Sequence, residues 1–381
     1  MRKSFKYRIY PNREQMDCLA YQLREACDLY NCAIQERIGA WKTCGKSINY
    51  YDQANQLKQM RSEGLIGVAN YSVCQDVLRR LNKTFNAFFQ RIKRGQKPGF
   101  PRFKPNQRYD TLTFPSYGDG CKLKDRLLYI QGIGDIKVKL HRPVDGKIKT
   151  VSIKREAGRW FAIFSVECDL APLPASTEAV GIDVGLSAFA TLDDGTEIYN
   201  PRFFEEAQRK LRVASRRLSR RKNKKSNRRR KSVQILQRQY AQIQNQRRDF
   251  HHKLSRRLVN RYGLIAVEDL NIKGLSSGML AKQVHDAGWG SFLNMLAYKA
   301  ESAGREFVKV DPRGTSQTCL CGARVPKGLS NRWHSCSACG LERARDHVSA
   351  QLILSRAGTR PSVANVEDVI SCVDREAVCF S

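Results

Sequence analysis

The chain has 381 residues, with 68 lysines and arginines against 36 aspartates and glutamates, a formal charge of +32 at pH 7. That length holds two or three cored domains, and so large an unpaired positive charge calls for a polyanionic partner. With no apolar run of about 18 residues and no n-region/h-region signal in Met1-Arg2-Lys3-Ser4-Phe5-Lys6-Tyr7, the membrane is excluded as partner and nucleic acid is favoured.

Residues 3–9 alternate basic and apolar side chains and stop at Pro11-Asn12, which predicts a strand and a turn. From Glu14 to about Arg94 the spacing turns helical. Leu19, Leu23, Cys27 and Tyr30 share one face, and Val77, Leu78, Leu81, Phe85, Phe88 and Phe89 line another. The three phenylalanines, followed by Arg91, Lys93 and Arg94, are candidates for stacking on bases, but at this spacing they read as helix core. A basic stretch broken by Gly and Pro, 94–101, ends the block.

Short strand patterns at 109–114, 128–130, 135–140, 149–153 and 160–166, separated by Gly, Asp and Pro, predict a small barrel. Strand 3–9 belongs to it, with the helical block inserted after that strand. Residues 171–176, Ala-Pro-Leu-Pro-Ala-Ser, read as a linker. Strands at 179–184, 187–192 and 196–199 around Asp194-Gly195 fit the opening of an RNase H-like sheet. A long basic helical region over 202–261, interrupted near 223–227, leads to a strand at 263–268, a helix at 290–303 and a strand at 306–310. A cysteine-rich insert precedes a helix at 346–356, and the pattern beyond Gly358 predicts a poorly ordered tail.

Three carboxylates stand out along this path. Asp183 ends the apolar run Val180, Ile182, Val184 between two glycines. Glu268 and Asp269 end Leu264-Ile265-Ala266-Val267, a run apolar on both faces as in a central strand, where periodicity does not choose between the two acids. Asp346 opens the last helix, where alone it would be a helix N-cap. In so basic a chain, gathering such groups costs free energy unless a divalent cation neutralises them. Three converging acidic oxygens suit a pair of Mg²⁺ ions, which can activate a water and stabilise a leaving 3′ oxygen in phosphodiester hydrolysis.

The 13 cysteines are an odd count, and most are scattered as small apolar side chains of a reduced, cytosolic protein. Cys319, Cys321, Cys336 and Cys339 differ. Cys336-Ser-Ala-Cys339-Gly340 is a zinc knuckle, and Cys319-Leu-Cys321-Gly322 is one residue shorter than the usual half-site. The set predicts one structural Zn²⁺, with His334 in reserve if the short half cannot close. Between 216 and 231 there is no acidic residue. Arg216, Arg217, Arg220, Arg221, Lys222, Lys224, Lys225, Arg228, Arg229, Arg230 and Lys231 are therefore assigned to phosphate contact, which gives affinity and position rather than sequence choice.

In order along the chain, Gly181-Ile182-Asp183-Val184-Gly185, Val267-Glu268-Asp269-Leu270, Thr315-Ser316-Gln317-Thr318-Cys319 and Arg345-Asp346 resemble the TnpB (OrfB) family, transposon-encoded RNA-guided nucleases related to type V CRISPR effectors. Lys6-Tyr7-Arg8-Ile9-Tyr10-Pro11 and Gly99-Phe100-Pro101-Arg102-Phe103 add to the likeness, which covers residues 1–355. It implies an α+β multidomain chain: an oligonucleotide-binding wedge β-barrel (1–12 and 104–171) with an inserted helical recognition domain (13–103), then an RNase H-like RuvC domain (177–312 and 342–357) with a zinc-ribbon-like insert (313–341), and the tail 358–381. It implies a catalytic, Mg²⁺-holding triad of Asp183, Glu268 and Asp346. The partners it implies are a guide RNA from the transposon end and double-stranded target DNA with a short flanking motif, met in the prokaryotic cytoplasm at the nucleoid. One departure is His347-Val348-Ser349-Ala350 where the family commonly shows Asn-Ala-Ala. Two other readings stand beside it: a nuclease-inactive RNA-guided DNA-binding repressor on the same scaffold, and a junction resolvase working without RNA.

Overall fold

The computed structural model describes residues 2–67, 69–169, 171–328 and 331–358, and the tail expected beyond Gly358 lies outside the described residues. The chain divides into two units, Met1–Asp169 and Leu170–Ser381. Among the described residues no helix is long and apolar enough to cross a membrane.

The first unit opens with β1 (Arg2–Tyr10), in which Phe5, Tyr7 and Ile9 are buried and their neighbours are not, the period of a strand with one face on a core. The chain then leaves the sheet for α1 (Arg13–Cys44), α2 (Tyr50–Ser62) and α3 (Tyr71–Lys93). Asn12 starts α1: its side chain accepts from the Gln15 N–H while Gln15 Oε1 accepts from the Asn12 N–H. Gly45, at φ 61°, ends it in the left-handed conformation that glycine adopts without steric cost. Arg37 is buried between these helices, where its Nε donates to Gln53 at 2.9 Å and its Nη1 to Asn82 at 3.2 Å.

The sheet resumes with β2 (Thr111–Phe114), β3 (Cys121–Lys124), β4 (Leu127–Ile130), β5 (Gly134–Lys139), β6 (Lys147–Glu156) and β7 (Arg159–Glu167). Its order is β2-β6-β7-β1-β5-β4-β3, antiparallel throughout, a curled sheet with β2 and β3 at its edges. β1 lies in its middle, pairing Phe5 with Phe164 and Ile9 with Trp160 on one side and Ile9 with Val138 on the other. The three helices are therefore an insertion between β1 and β2, as the sequence pattern predicts. β3 was not predicted, because four residues with two apolar positions are too short to show a period.

The second unit begins with β8 (Ala179–Val184), β9 (Ala188–Leu192) and β10 (Glu197–Tyr199). α4 (Phe203–Ser219) and α5 (Asn227–Arg261) follow as a helical hairpin, then β11 (Leu264–Glu268), α6 (Ile272–Leu275), α7 (Ala281–Ala287), α8 (Trp289–Ser302) and β12 (Glu306–Val310). β13 (Trp333–Ser335) and β14 (Glu342–Ala344) form a small ribbon before α9 (Arg345–Ala357). The main sheet has the order β10-β9-β8-β11-β12, with an antiparallel meander first and β11 parallel to both β8 and β12. This is the RNase H-like arrangement.

Both faces of this sheet are covered, and the alternation along the central strands decides what each covers. Val180, Ile182, Ile265 and Val267 join Leu258, Phe292 and Leu296 in the core on the α5 and α8 side. Leu264 and Ala266 join Val310 and Ile353 on the α9 side. By the same period of two, Gly181 and Asp183 on β8, and Glu268 on β11, face α9. That parity puts Glu268, rather than Asp269, on the α9 face. Asp269 is exposed, with Lys309 at 3.2 Å.

Candidate metal centres

β8 and β11 run side by side with Ile182 opposite Val267, so Asp183 and Glu268 are neighbours at the carboxyl ends of two parallel strands. α9 lies hard against β8. A Cβ on Gly181 would stand 2.1 Å from the Ala350 carbonyl oxygen. Asp346 lies in the first turn of that helix, and its charge reaches the buried Asp183. Gly181→Ala is expected to cost about 1–3 kcal/mol of stability, because a backbone carbonyl cannot yield without moving α9. A melting temperature equal to the parent's would contradict this packing.

The charges of the three groups are felt across the site. Burial pushes the Asp183 carboxyl well above its ordinary range, Glu268 and Asp346 push it further, and Arg345 and Arg332 oppose them. Burial also raises Glu268, against the Thr315 hydroxyl and Arg356. Thr315 Oγ1 lies within hydrogen-bonding reach of both Glu268 Oε1 and, at 3.0 Å, the Pro312 carbonyl. Asp346 Oδ1 accepts from Nε and Nη2 of Arg345, each at 3.0 Å, and its Oδ2 is 3.5 Å from Arg332. His347, the departure from the family pattern, donates from Nε2 to the Asp193 carbonyl at 3.0 Å and packs on Gly195. It pins the first turn of α9 to the turn between β9 and β10.

Among the described residues, the one group of three or more ligand-bearing side chains converging within 4.8 Å is Cys319, Cys321, Cys336 and Cys339. Cys319 Sγ is 3.6 Å from Cys339 Sγ, and Cys321 Sγ is 3.8 Å from Cys336 Sγ. A tetrahedron of sulfurs about 2.3 Å from a zinc ion has edges of about 3.8 Å, so the spacing fits that ion and is far beyond a disulfide. Peptide N–H groups of Cys339 and Ala338 help lower the Cys336 thiol to about 7. The Leu341 N–H favours the Cys339 thiolate, yet the three neighbouring thiols drive that group up to about 12. Four thiols packed this closely cannot all ionise without a cation.

Both sulfurs of the short half-site join the cluster, and His334 is not part of it. That histidine is buried and its Nδ1 is bonded to Lys327 Nζ. Lys327 in turn feels the charges of Cys319 and Cys336. Sequence reasoning assigned no role to Thr315, Arg332, Lys327 or His347. Thr315 was within reach, since it stands in the quoted Thr315–Cys319 stretch. Arg332 and Lys327 carry no local signal, because their roles arise from the fold of the insert.

The basic run spans the end of α4, the turn and the start of α5. Arg221 and Arg229 are half-buried and close the turn, Arg221 onto the Arg228 carbonyl and Ser232, Arg229 onto the Leu218 and Arg221 carbonyls. The other basic side chains named from this run are exposed. The start of α4 is capped from a distance. Asp286 accepts from the N–H of Phe204 at 2.9 Å and of Glu205 at 3.3 Å, and from Arg247 at 2.9 Å.

Three family models match the chain: "Probable transposase" over residues 153–278, "Cas12f1-like, TNB domain" over 289–353, and "Helix-turn-helix domain" over 1–46. The last span holds a strand and one 32-residue helix. A Streptomyces pristinaespiralis protein named "Putative RNA-guided DNA endonuclease" is 31% identical over 366 residues, 93% of this chain and 89% of that one. InsQ of Escherichia coli K12, similarly named, is 28% identical over 378 residues, 93% of this chain and 92% of its own. A solved Cas12f1 complex with sgRNA and target DNA covers 94% of this chain and 100% of that one at 14% identity, with a TM-score of 0.37, too low to carry an argument. Identity above 30% along nearly the whole of both chains, joined to models that fall on the β6–α6 and α8–α9 segments, decides the matter: the chain belongs to the TnpB (OrfB) family.

Proposed function

We propose that this protein is an RNA-guided, Mg²⁺-dependent DNA endonuclease of an insertion-sequence transposon, with Asp183, Glu268 and Asp346 as its catalytic carboxylates. What supports the reading is that Asp183 and Glu268 end neighbouring parallel strands and that burial, together with the charges of Glu268 and Asp346, resists the ionisation of Asp183. Such a set suits hard divalent cations that prefer carboxylate and phosphate oxygens. Two bound magnesium ions would supply an activated water and charge stabilisation at the leaving 3′ oxygen. The chain's own residues prepare that place: Thr315 orients Glu268, His347 fixes the helix that carries Asp346, and Arg345 and Arg332 hold its carboxylate.

The exposed cations of the α4–α5 hairpin serve phosphate contact along a guide–target duplex. They give affinity without sequence choice, which pairing between a transposon-derived guide RNA and the target strand would supply. A short motif beside the target would be read in the duplex DNA. The four thiols hold one structural Zn²⁺, and the names of the relatives support RNA and DNA as partners. The protein would act in the cytoplasm, at the nucleoid.

Sequencing the RNA that copurifies with the full chain tests this directly. We expect one structured RNA ending in a variable guide, and Mg²⁺-dependent cutting only of plasmids that match it. Binding of the matched plasmid with no cut would favour the repressor. Cutting of branched DNA by RNA-free protein would favour the resolvase.

A further inference from the structure

The sequence from Val77 to Tyr109 contains no acidic residue. At the end of α3 and in the loop after it, this segment builds an aromatic cluster that the proposed chemistry leaves unused. Phe85 is its anchor: it is buried, with the Arg37 guanidinium 5.0 Å from its ring centre. On it stand Phe89, at 6.4 Å, and Phe100, edge-on at 5.9 Å. Phe88 bridges these two at 5.2 Å each, with interplanar angles of 67° and 80°. The rings are held against one another, yet Phe89 remains 50% exposed and Phe100 49% exposed. Arg91, Lys93, Arg94 and Lys97 are exposed around them.

A fixed π surface ringed by cations fits one class of partner. Every charged side chain of this segment is basic, which suits a polyanion. An unpaired nucleotide offers a flat base and a phosphate within one residue's length, while a duplex hides its base faces in the stack. Resting on the RNA-guided reading above, we propose that Phe88, Phe89 and Phe100 form a stacking platform for unpaired bases of the RNA partner, whose phosphates lie on the surrounding lysines and arginines. Structured RNA presents such bases in its loops at all times, whereas a double-stranded target presents none until it is opened.

The test measures anisotropy of fluorescein-labelled 12-nucleotide oligouridylate, of its deoxy counterpart and of a 12-base-pair RNA duplex on the full, RNA-free chain. Phe89→Ala with Phe100→Ala is expected to weaken the single-stranded RNA about tenfold, within the roughly 1–3 kcal/mol that base stacking contributes. Duplex binding should change less than twofold. Phe89→Leu with Phe100→Leu keeps the apolar bulk, guards against loss of fold, and should weaken the single strand similarly. Equal loss on single strand and duplex, no loss, full binding by the leucine variant, or loss confined to the deoxy strand would each overturn the platform. So would a parent that dimerises through this face and a variant that does not, which would assign the surface to a second copy. Guided cutting by the parent is read separately, so failure of the platform and failure of the nuclease reading are told apart.

Discussion

Asp183→Asn is expected to abolish guided DNA cutting while leaving RNA and target binding in place. The substitution keeps the shape of the side chain and removes one of three charges that would hold the metal ions. Losing about 4 kcal/mol of transition-state stabilisation corresponds to a fall of about a thousandfold in cutting rate. The same change should stabilise the metal-free protein. Because burial and two neighbouring carboxylates raise Asp183 above its ordinary value of 3.8, the folded chain keeps a proton that the unfolded chain has already released. Stability contributed at this position therefore falls as pH rises from about that ordinary value through the raised one. Asparagine removes the effect. In chelator at pH 7 the variant should melt above the parent, and Mg²⁺ should raise the parent far more than the variant. Parental cutting by the variant, or an equal Mg²⁺ shift in both, would dismiss the assignment.

Cys336→Ser is expected to produce a chain without zinc. Metal analysis should find one zinc per parent chain and none in the variant, while His334→Ala keeps one. The ribbon around the four thiols has only three residues in each strand, too little to stand without a cross-link. Structural zinc in small modules is worth roughly 10–16 kcal/mol of apparent folding free energy. The variant should therefore become sensitive to protease between residues 313 and 341 while the main sheet keeps its protection. Retained zinc, or an unchanged digestion pattern, would remove the thiols from the role given to them.

Much of this architecture was legible in the residues because its strands are long enough to show a period. Phe5, Tyr7 and Ile9 alternate over a full strand, and Asp183 stands where an apolar run stops between glycines. Glu268 was not separable from Asp269 by pattern, because β11 is buried on both faces and alternation carries no contrast there. Only the position of α9 breaks the tie. β3, β13 and β14 span two periods or fewer, and α6 and α7 are only about one and two turns long. The run from Arg216 to Lys231 shows the opposite error. Composition treats all its cations alike, but Arg221 and Arg229 are spent on closing the turn that presents the others. His334 looked like a spare ligand by sequence distance, whereas burial against Lys327 gives it a different partner.

The lodging of α9 against Gly181 has a consequence for timing. A polypeptide still emerging from the ribosome can pair β8 with β11, but it lacks the helix whose first turn carries the third acid. Until synthesis passes Ala350, the strand ends display two carboxylates and no closing partner. Under the proposed chemistry, incomplete copies would be harmless to the chromosome that encodes them.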